Sequence, residues 1–142
     1  MAAQQVPTAN PVSARKLVLI VEDNALNMKL FTAMIGAQGH EVVQAADGLS
    51  ALDQAHRRHP DLIIMDLQLP DMSGLDVMRI LKADADTRSI PIIATTAFAT
   101  RGGEASIRES GCDGYMAKPI AISEFLELID SLITRSTPAQ FA

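Results

Sequence analysis

Short apolar stretches alternate along the chain with longer segments in which apolar residues recur every three or four positions. A continuous apolar run bounded by turn residues is typical of a strand buried on both faces, whereas the wider spacing is typical of an amphipathic helix. The runs predict five strands: LVLIV at 17–21, EVVQA at 41–45, LIIM at 62–65, IPIIATT at 90–96 and GYMA at 114–117. The spaced segments predict a helix after each strand.

Four of the five predicted helices have an apolar stripe, and the stripe of the helix at 48–59 is predicted to point inward. The first helix follows Asn24, a good N-cap residue. Ser123 is the predicted cap of the last helix, and two glycines make the helix predicted at 99–110 the weakest, since glycine costs about 1 kcal/mol against alanine in a helix interior. The predicted stripes are Leu26, Leu30, Phe31 and Met34 in the first helix; Leu49, Leu52 and Ala55 in 48–59; Leu75, Met78 and Leu81 in 74–84; and Ile122, Phe125, Leu126, Ile129, Leu132 and Ile133 in the last.

Five strand–helix units with short connections predict an α/β fold in which helices cover both faces of a parallel five-stranded sheet. The expected arrangement is doubly wound and flavodoxin-like, with strand order 2-1-3-4-5. In such a sheet, ligands bind at the carboxyl ends of strands 1 and 3, where the winding reverses. We predict one domain at 17–134, with a flexible leader at 1–16 and a flexible tail at 135–142, because neither end shows sustained periodicity.

Composition narrows the classes of function. With 48% hydrophobic and 20% charged residues among 142, the chain is ordinary for a globular protein. It has no apolar run near the roughly 20 residues of a membrane span and no apolar signal-peptide core at its start, so we expect a cytoplasmic protein without membrane insertion. Cys112, the only cysteine, fits that compartment. A net charge of −5 argues against nucleic acid as a partner.

Two histidines, His56 and His59, lie three positions apart near the end of a predicted helix. They lack cysteine or nearby carboxylate partners for a zinc site. We therefore predict two solvated surface histidines.

Acidic residues follow two strands that the predicted order makes neighbours. Glu22 and Asp23 come directly after the first strand, and Asp66 follows the apolar run of the third. Because neighbouring strands lie about 4.8 Å apart, three like charges crowd one small region. A hard cation would compensate them, and oxygen ligands on a short, partly hydrated site suit Mg²⁺.

Two further groups are predicted at the same edge of the sheet. Lys118 follows the fifth strand, and Thr96 ends the fourth. A phosphoryl group spreads its charge over three oxygens. Such an anion is stabilised by a metal ion, an ammonium, a hydroxyl and backbone N–H groups together. The carboxylate of Asp66 could then act as a nucleophile and become an acyl phosphate.

These stretches resemble the receiver domain of bacterial two-component response regulators over about residues 16–134. The likeness is carried by VEDN after the first strand, MD with LPDMSG at the third, TTAFA at the fourth and YMAKPI at the fifth. Each motif is weak alone, but their combination is highly specific. Within the family, LIVEDNALNMKLF, AQGH, GLSALDQA, DLIIMDLQLPDMSGLDV and TAFA resemble the single-domain cell-cycle regulators of alphaproteobacteria.

The resemblance implies that Asp66 is the phosphoacceptor and that Mg²⁺ is the cofactor. It implies that Lys118 pairs with the phosphoryl group and that the peptide before Pro119 is cis. Glutamate in place of the family's commoner aspartate at position 22 is a familiar variant that leaves the mechanism intact. The implied metal ligands are Asp23 directly, Glu22 through water, Asp66, and the backbone carbonyl of Gln68.

The resemblance also implies a two-state switch. Thr96 would hydrogen-bond the phosphoryl oxygen, and Tyr115 would turn from exposed to buried. The chain would be a signalling switch rather than an enzyme, and its phosphoryl donors would be sensor histidine kinases or phosphotransfer proteins. No output module follows the last helix, so we expect a monomer that signals by protein contact through the fourth helix, fifth strand and last helix. Kinase-like proteins would read its state, and partner kinases would recruit it to a cell pole.

Phe98 lies two residues past Thr96, where the family tunes the access of water to the acyl phosphate. A bulky apolar side chain should hinder in-line attack by water. We therefore expect the wild-type protein to lose phosphate more slowly than a Phe98→Glu variant. Mass spectra of the phosphorylated proteins over time test this, and equal rates of loss would contradict it.

The residues alone leave two other functions open. A phosphohydrolase of the haloacid-dehalogenase type also uses a strand-end aspartate with Mg²⁺, but it needs a second aspartate two residues on, where this chain has Gln68. An inert binding module on the same fold would never carry phosphate. Acetyl phosphate with Mg²⁺ separates that module from a receiver, which gains about 80 Da at Asp66.

Overall fold

The computed structural model describes residues 15–97, 107 and 109–135. The helix predicted at 99–110, the leader and the tail lie largely outside these residues. In chain order the elements are β1 (Leu17–Val21), α1 (Ala25–Ala37), β2 (Glu41–Ala45), α2 (Gly48–Arg58), β3 (Leu62–Asp66), α3 (Gly74–Ala83), β4 (Ile92–Thr96), β5 (Gly114–Ala117) and α4 (Ile122–Arg135).

The strands form one parallel sheet in the order β2-β1-β3-β4-β5, which confirms the predicted topology. Because all five strands are parallel, their carboxyl ends lie at one edge, and the winding reverses there between the central strands β1 and β3. The register pairs Val21 with Met65 across β1 and β3, and Asp66 with Thr95 across β3 and β4. Glu22, one residue past β1, therefore lies level with Asp66.

Alternating strand residues build two hydrophobic layers, one on each face of the sheet. We call them the α2/α3 face and the α1/α4 face. On the second, the rings of Phe31 and Phe125 pack with their centroids 5.3 Å apart. In the described part of the chain, no helix is long and apolar enough to span a lipid bilayer. The helix residues buried on the α2/α3 face are Ala51, Ala55, Val77, Met78 and Leu81, and those on the α1/α4 face are Phe31, Ile35, Phe125, Ile129, Leu132 and Ile133.

Only part of the predicted stripe of α1 meets the core. Leu26 and Leu30 remain 65% and 53% exposed, whereas Phe31 is buried, together with Ile35, which the predicted stripe did not include. Periodicity shows which residues share a helix face, but the position of the sheet decides which side of a broad stripe is covered.

The prediction that Leu49 points inward is wrong. Its side chain is 68% exposed, and α2 instead packs through Ala51 and Ala55, which are fully buried. Small side chains at these two positions leave room for α2 beside the sheet, so the bulky leucine in its first turn lies on the solvent side.

The two predicted helix caps have different outcomes. Asn24 caps α1 as predicted, since its Oδ1 accepts from the N–H of Asn27 at 2.9 Å. Ser123 is not a cap, because α4 begins at Ile122 and the N–H of Phe125 already donates to the carbonyl of Ala121 at 2.9 Å. Residue preference alone does not locate a helix start to within a residue or two.

His56 has partners that the prediction of a solvated histidine did not include. Its Nε2 lies 2.8 Å from Asp84 Oδ2, and its Nδ1 lies 2.9 Å from the carbonyl oxygen of Leu52. The hydrogen bond to Asp84, followed by that to Leu52, raises the pKa of His56 above its usual 6.5.

We expect an NMR titration of the His56 ring to give a pKa above 6.5, and Asp84→Asn to bring it back toward that value. Because the folded-state pKa is raised, the pair stabilises the fold fully below about pH 6.5, and this contribution disappears as the pH rises through the folded-state pKa. Asp86→Asn is the matched control, since it removes a nearby charge without removing the hydrogen bond. A His56 pKa that Asp84→Asn leaves unchanged would contradict the assignment.

Candidate functional site

Three carboxylates meet at the carboxyl edge of the sheet. One oxygen from each of Glu22, Asp23 and Asp66 lies within 4.8 Å of the others. Glu22 and Asp66 are buried, at 2% and 3% exposure, whereas Asp23 is exposed. The level ends of β1 and β3 bring these residues together, as the strand order leads us to expect.

Lys118 supplies an ammonium to this cluster. Its Nζ lies 2.9 Å from Glu22 Oε1 and 3.3 Å from Asp66 Oδ2. The lysine follows β5, so its side chain extends past β4 to reach β3 and β1. Lys118 and Pro119 are joined by a cis peptide, as predicted. Residues that stand 96 and 52 positions apart in the chain therefore form one charged group.

The charges in this group do not balance. Burial raises the pKa of Glu22 above 4.5, and the charge of Asp66 raises it further, while the hydrogen bond from Lys118 works against both. Burial also works to lower the pKa of Lys118, but its hydrogen bond to Glu22 and the charge of Asp66 outweigh burial and raise it. Three carboxylates face one ammonium, and the surplus negative charge on hard oxygen atoms fits a divalent cation.

The loop after β3 holds Asp66 in position. The N–H of Gln68 donates to Asp66 Oδ1 at 3.0 Å, and a bridge pairs Gln68 with Ser73. Ser73 in turn caps α3, its Oγ accepting from the N–H of Leu75 at 3.1 Å. With Lys118 on the other oxygen, the carboxylate of Asp66 is held at both of its oxygens.

The two predicted switch residues lie on adjacent strands. Thr96 ends β4 and is 3% exposed. Tyr115 lies in β5, is half-buried and packs against the α2/α3 face. Phe98 lies outside the described residues. The switching and tuning roles of these three residues stay predictions.

Asp71 makes contacts that no pattern in the sequence reveals. Its carboxylate accepts from the backbone N–H groups of Gly48 at 2.7 Å and Leu49 at 3.0 Å, at the start of α2. The bond from Gly48 is the main cause of a lowered pKa for Asp71. Since Asp71 stands 23 residues after Gly48 in the chain, local capping rules could not find this contact. It joins the loop that follows Asp66 to α2.

The chain matches known proteins along most of its length. A profile of the response regulator receiver domain matches residues 18–130. The polar-differentiation response regulator DivK of Brucella ovis is 53% identical over 118 residues, which cover 83% of this chain and 96% of the relative. DivK of Brucella anthropi is 52% identical over 118 residues, with the same coverage of 83% and 96%.

Solved structures of receiver domains also match this chain. The receiver domain of a sensor histidine kinase from Pseudomonas aeruginosa, crystallised with a magnesium ion coordinated in its active site cleft, is 34% identical. It superimposes with a TM-score of 0.79 over 84% of this chain and 98% of that one. A signal receiver domain of a histidine kinase from Syntrophus aciditrophicus is 26% identical, with a TM-score of 0.81 over 87% of this chain and 93% of that one.

Proposed function

Since this chain belongs to the response regulator receiver domain family, we propose that it accepts a phosphoryl group from a phosphohistidine onto Asp66 and acts as a switch in a two-component phosphorelay. The family consists of signalling proteins rather than conventional enzymes. The observation that carries the proposal is Lys118 Nζ, 3.3 Å from Asp66 Oδ2 within the acidic cluster. The phosphohydrolase and inert-module alternatives are not favoured, because the family match covers residues 18–130.

Mg²⁺ is the cofactor that we assign to the cluster. Its support is the set of hard oxygen atoms from Glu22, Asp23 and Asp66, together with the magnesium ion in the related Pseudomonas receiver domain. We assign Asp23 and Asp66 as direct ligands, Glu22 as a ligand through water, and the carbonyl of Gln68 as a further ligand. When bound, Mg²⁺ would neutralise charge on the phosphoryl group during transfer.

The other steps belong to the chain's own residues. An oxygen of Asp66 attacks phosphorus, a new P–O bond forms as the bond to the donor breaks, and the donor leaves with that electron pair. The ammonium of Lys118 faces the charge that arrives, and the N–H of Gln68 keeps the nucleophile oriented. Because both groups already contact Asp66, little reorganisation is needed during transfer. The same site would catalyse a slow loss of phosphate.

We place the phosphoryl donor at an apolar groove beside Lys118. The groove has a volume of about 260 Å³, and its lining includes Leu30, Met34, Pro119 and Ile122. Leu30 and Ile122 are 53% and 58% exposed, and contiguous exposed apolar side chains are typical of protein contact surfaces. A sensor histidine kinase or phosphotransfer protein bound there would bring its phosphohistidine close to Asp66.

Thr96 and Tyr115 would transmit the effect of phosphorylation from Asp66 to the rest of the molecule. The hydroxyl of Thr96 would donate to a phosphoryl oxygen, and the half-buried ring of Tyr115 would move inward as the end of β4 is drawn toward the site. The surface formed by β5 and α4 would then present a different face to kinase-like readout proteins.

Cell-cycle and polarity control is the setting that we propose. Its support is the 53% identity to a protein named for polar differentiation. In this proposal the chain is a cytoplasmic monomer that does not bind nucleic acid, and partner kinases recruit it to a cell pole.

Incubation with acetyl phosphate and Mg²⁺ tests the proposed function. We expect a mass gain of about 80 Da, located at Asp66 by peptide mapping. Removal of Mg²⁺ with a chelator should abolish the gain, as should Asp66→Asn. Asp76→Asn is the matched control, since Asp76 is an exposed aspartate paired with Arg79, and this variant should be modified like the wild type. An unmodified wild-type protein, or a modified Asp66→Asn protein, would overturn the proposal.

A further inference from the structure

Thr95 in β4 carries a hydroxyl for which the described residues offer no hydrogen-bond partner. The residue is fully buried, and its backbone carbonyl is occupied, accepting from the N–H of Leu67 at 3.0 Å. A buried polar group without a partner costs free energy. Valine has nearly the same shape and suits a buried strand, so the packing of the unmodified fold does not account for a threonine at this position.

Thr95 lies beside Asp66 in the sheet. Thr95 is the register partner of Asp66 on the neighbouring strand, at a strand spacing of about 4.8 Å. Ile93, two residues before Thr95, packs on the α1/α4 face, and so does Ile64, two residues before Asp66. Because strand side chains alternate between faces, Thr95 and Asp66 share the α1/α4 face.

Phosphorylation changes the charge at Asp66 and the contacts that its oxygens make. In the unmodified protein, one of its oxygens accepts from the N–H of Gln68 and the other from Lys118. In an acyl phosphate the negative charge lies on the phosphoryl oxygens, and the ammonium of Lys118 is attracted to that charge. The acyl oxygen that is not bonded to phosphorus is then the one left to bind the proposed Mg²⁺, and its second lone pair can still accept a hydrogen bond.

We propose that Thr95 is a positioning residue whose hydroxyl donates a hydrogen bond to this acyl oxygen of Asp66 once the side chain is phosphorylated. The inference rests on the proposed role of Asp66 as phosphoacceptor. In the unmodified state the described residues leave this hydroxyl without a partner, and the modified state supplies one, so Thr95 shifts the balance toward the modified state. Thr96, the next residue, points to the opposite face of the sheet, and the two hydroxyls therefore approach the site from different sides.

Beryllium fluoride tests the proposed hydrogen bond from Thr95 at equilibrium, because it adds to an aspartate carboxylate as a stable mimic of the phosphoryl group. The wild type, Thr95→Val and Thr95→Ser are compared in Mg²⁺. We expect Thr95→Val to weaken beryllofluoride binding by about three- to tenfold, and Thr95→Ser, which keeps the hydroxyl, to bind within about twofold of the wild type. Without beryllofluoride, Thr95→Val should melt about 2–5 °C higher than the wild type, since valine removes the unpaired hydroxyl.

The expected effects of valine on binding and on melting have opposite signs, which a purely structural role would not produce. Equal beryllofluoride affinity for Thr95→Val and the wild type would overturn the Thr95 proposal alone. A Thr95→Val protein that melts below the wild type would overturn it as well. No binding by the wild type would overturn the phosphoacceptor proposal together with this one.

Discussion

Lys118→Ala should lower the rate constant for phosphorylation of Asp66 by acetyl phosphate by about 10²- to 10³-fold, the effect typical of removing one preorganised charge-stabilising group. The ammonium lies 3.3 Å from Asp66 Oδ2, and its raised pKa keeps it charged. Without it, the incoming phosphoryl group would approach two buried carboxylates that have lost their counter-charge. Mass spectrometry of the intact protein over time measures the rate.

Two variants separate this role from a general effect on folding. Lys118→Arg keeps the charge but replaces a compact ammonium by a planar guanidinium, so it should restore the rate only in part. Lys82→Ala is the matched control, because Lys82 is similarly buried and pairs with Asp113 at 3.1 Å away from the acidic cluster. It should leave the phosphorylation rate unchanged. A Lys118→Ala protein that is phosphorylated as fast as Lys82→Ala would contradict the assignment.

Gly74→Ala should lower the free energy of unfolding by about 3 kcal/mol, the upper part of the range for overpacking. A Cβ at this position would lie 2.7 Å from Leu67 Cα and would also collide with the carbonyl of Asp66. Both obstacles are backbone, so no side-chain rotation relieves them, and the start of α3 must move away from β3. Urea denaturation measures the change through the transition midpoint at constant slope.

Gly36→Ala is the matched control for the glycine substitution. Gly36 also lies in a helix, but a Cβ there would meet no atom within 4 Å. Alanine has the higher helix propensity, so this variant should be more stable than the wild type by up to about 1 kcal/mol. If Gly74→Ala were as stable as Gly36→Ala, the close approach of α3 to the end of β3 would be disproved.

The strand order was predictable because two local signals agree. The central strands are continuous apolar runs, which requires burial on both faces, and short connections through helices allow few parallel topologies. The helix faces were less predictable. In α1 the leucines and Phe31 fall on one broad stripe, and only contact with α4 and the sheet selects Phe31 and Ile35 for burial.

The acidic site could be predicted because its residues lie at the ends of strands whose order was itself predictable. Once the order of strands is known, residues at the carboxyl ends of β1, β3 and β5 or directly after them must share an edge, and this places Glu22, Asp66 and Lys118 together. The contacts of Asp71 with Gly48 and of His56 with Asp84 could not be predicted. Neither pair is related by strand alternation or helical spacing, the two regularities that can be read from a sequence.

By itself, the sequence determined the elements, their order in the sheet and the edge at which carboxylates and a lysine collect, because periodicity and alternation are local properties of the chain. Only the tertiary structure decided that Lys118 contacts both Glu22 and Asp66, that Leu49 faces solvent, and that the buried hydroxyl of Thr95 finds no partner among the described residues. Burial and hydrogen bonding depend on atoms brought in from up to 96 positions away, and no local pattern specifies where those atoms come to lie.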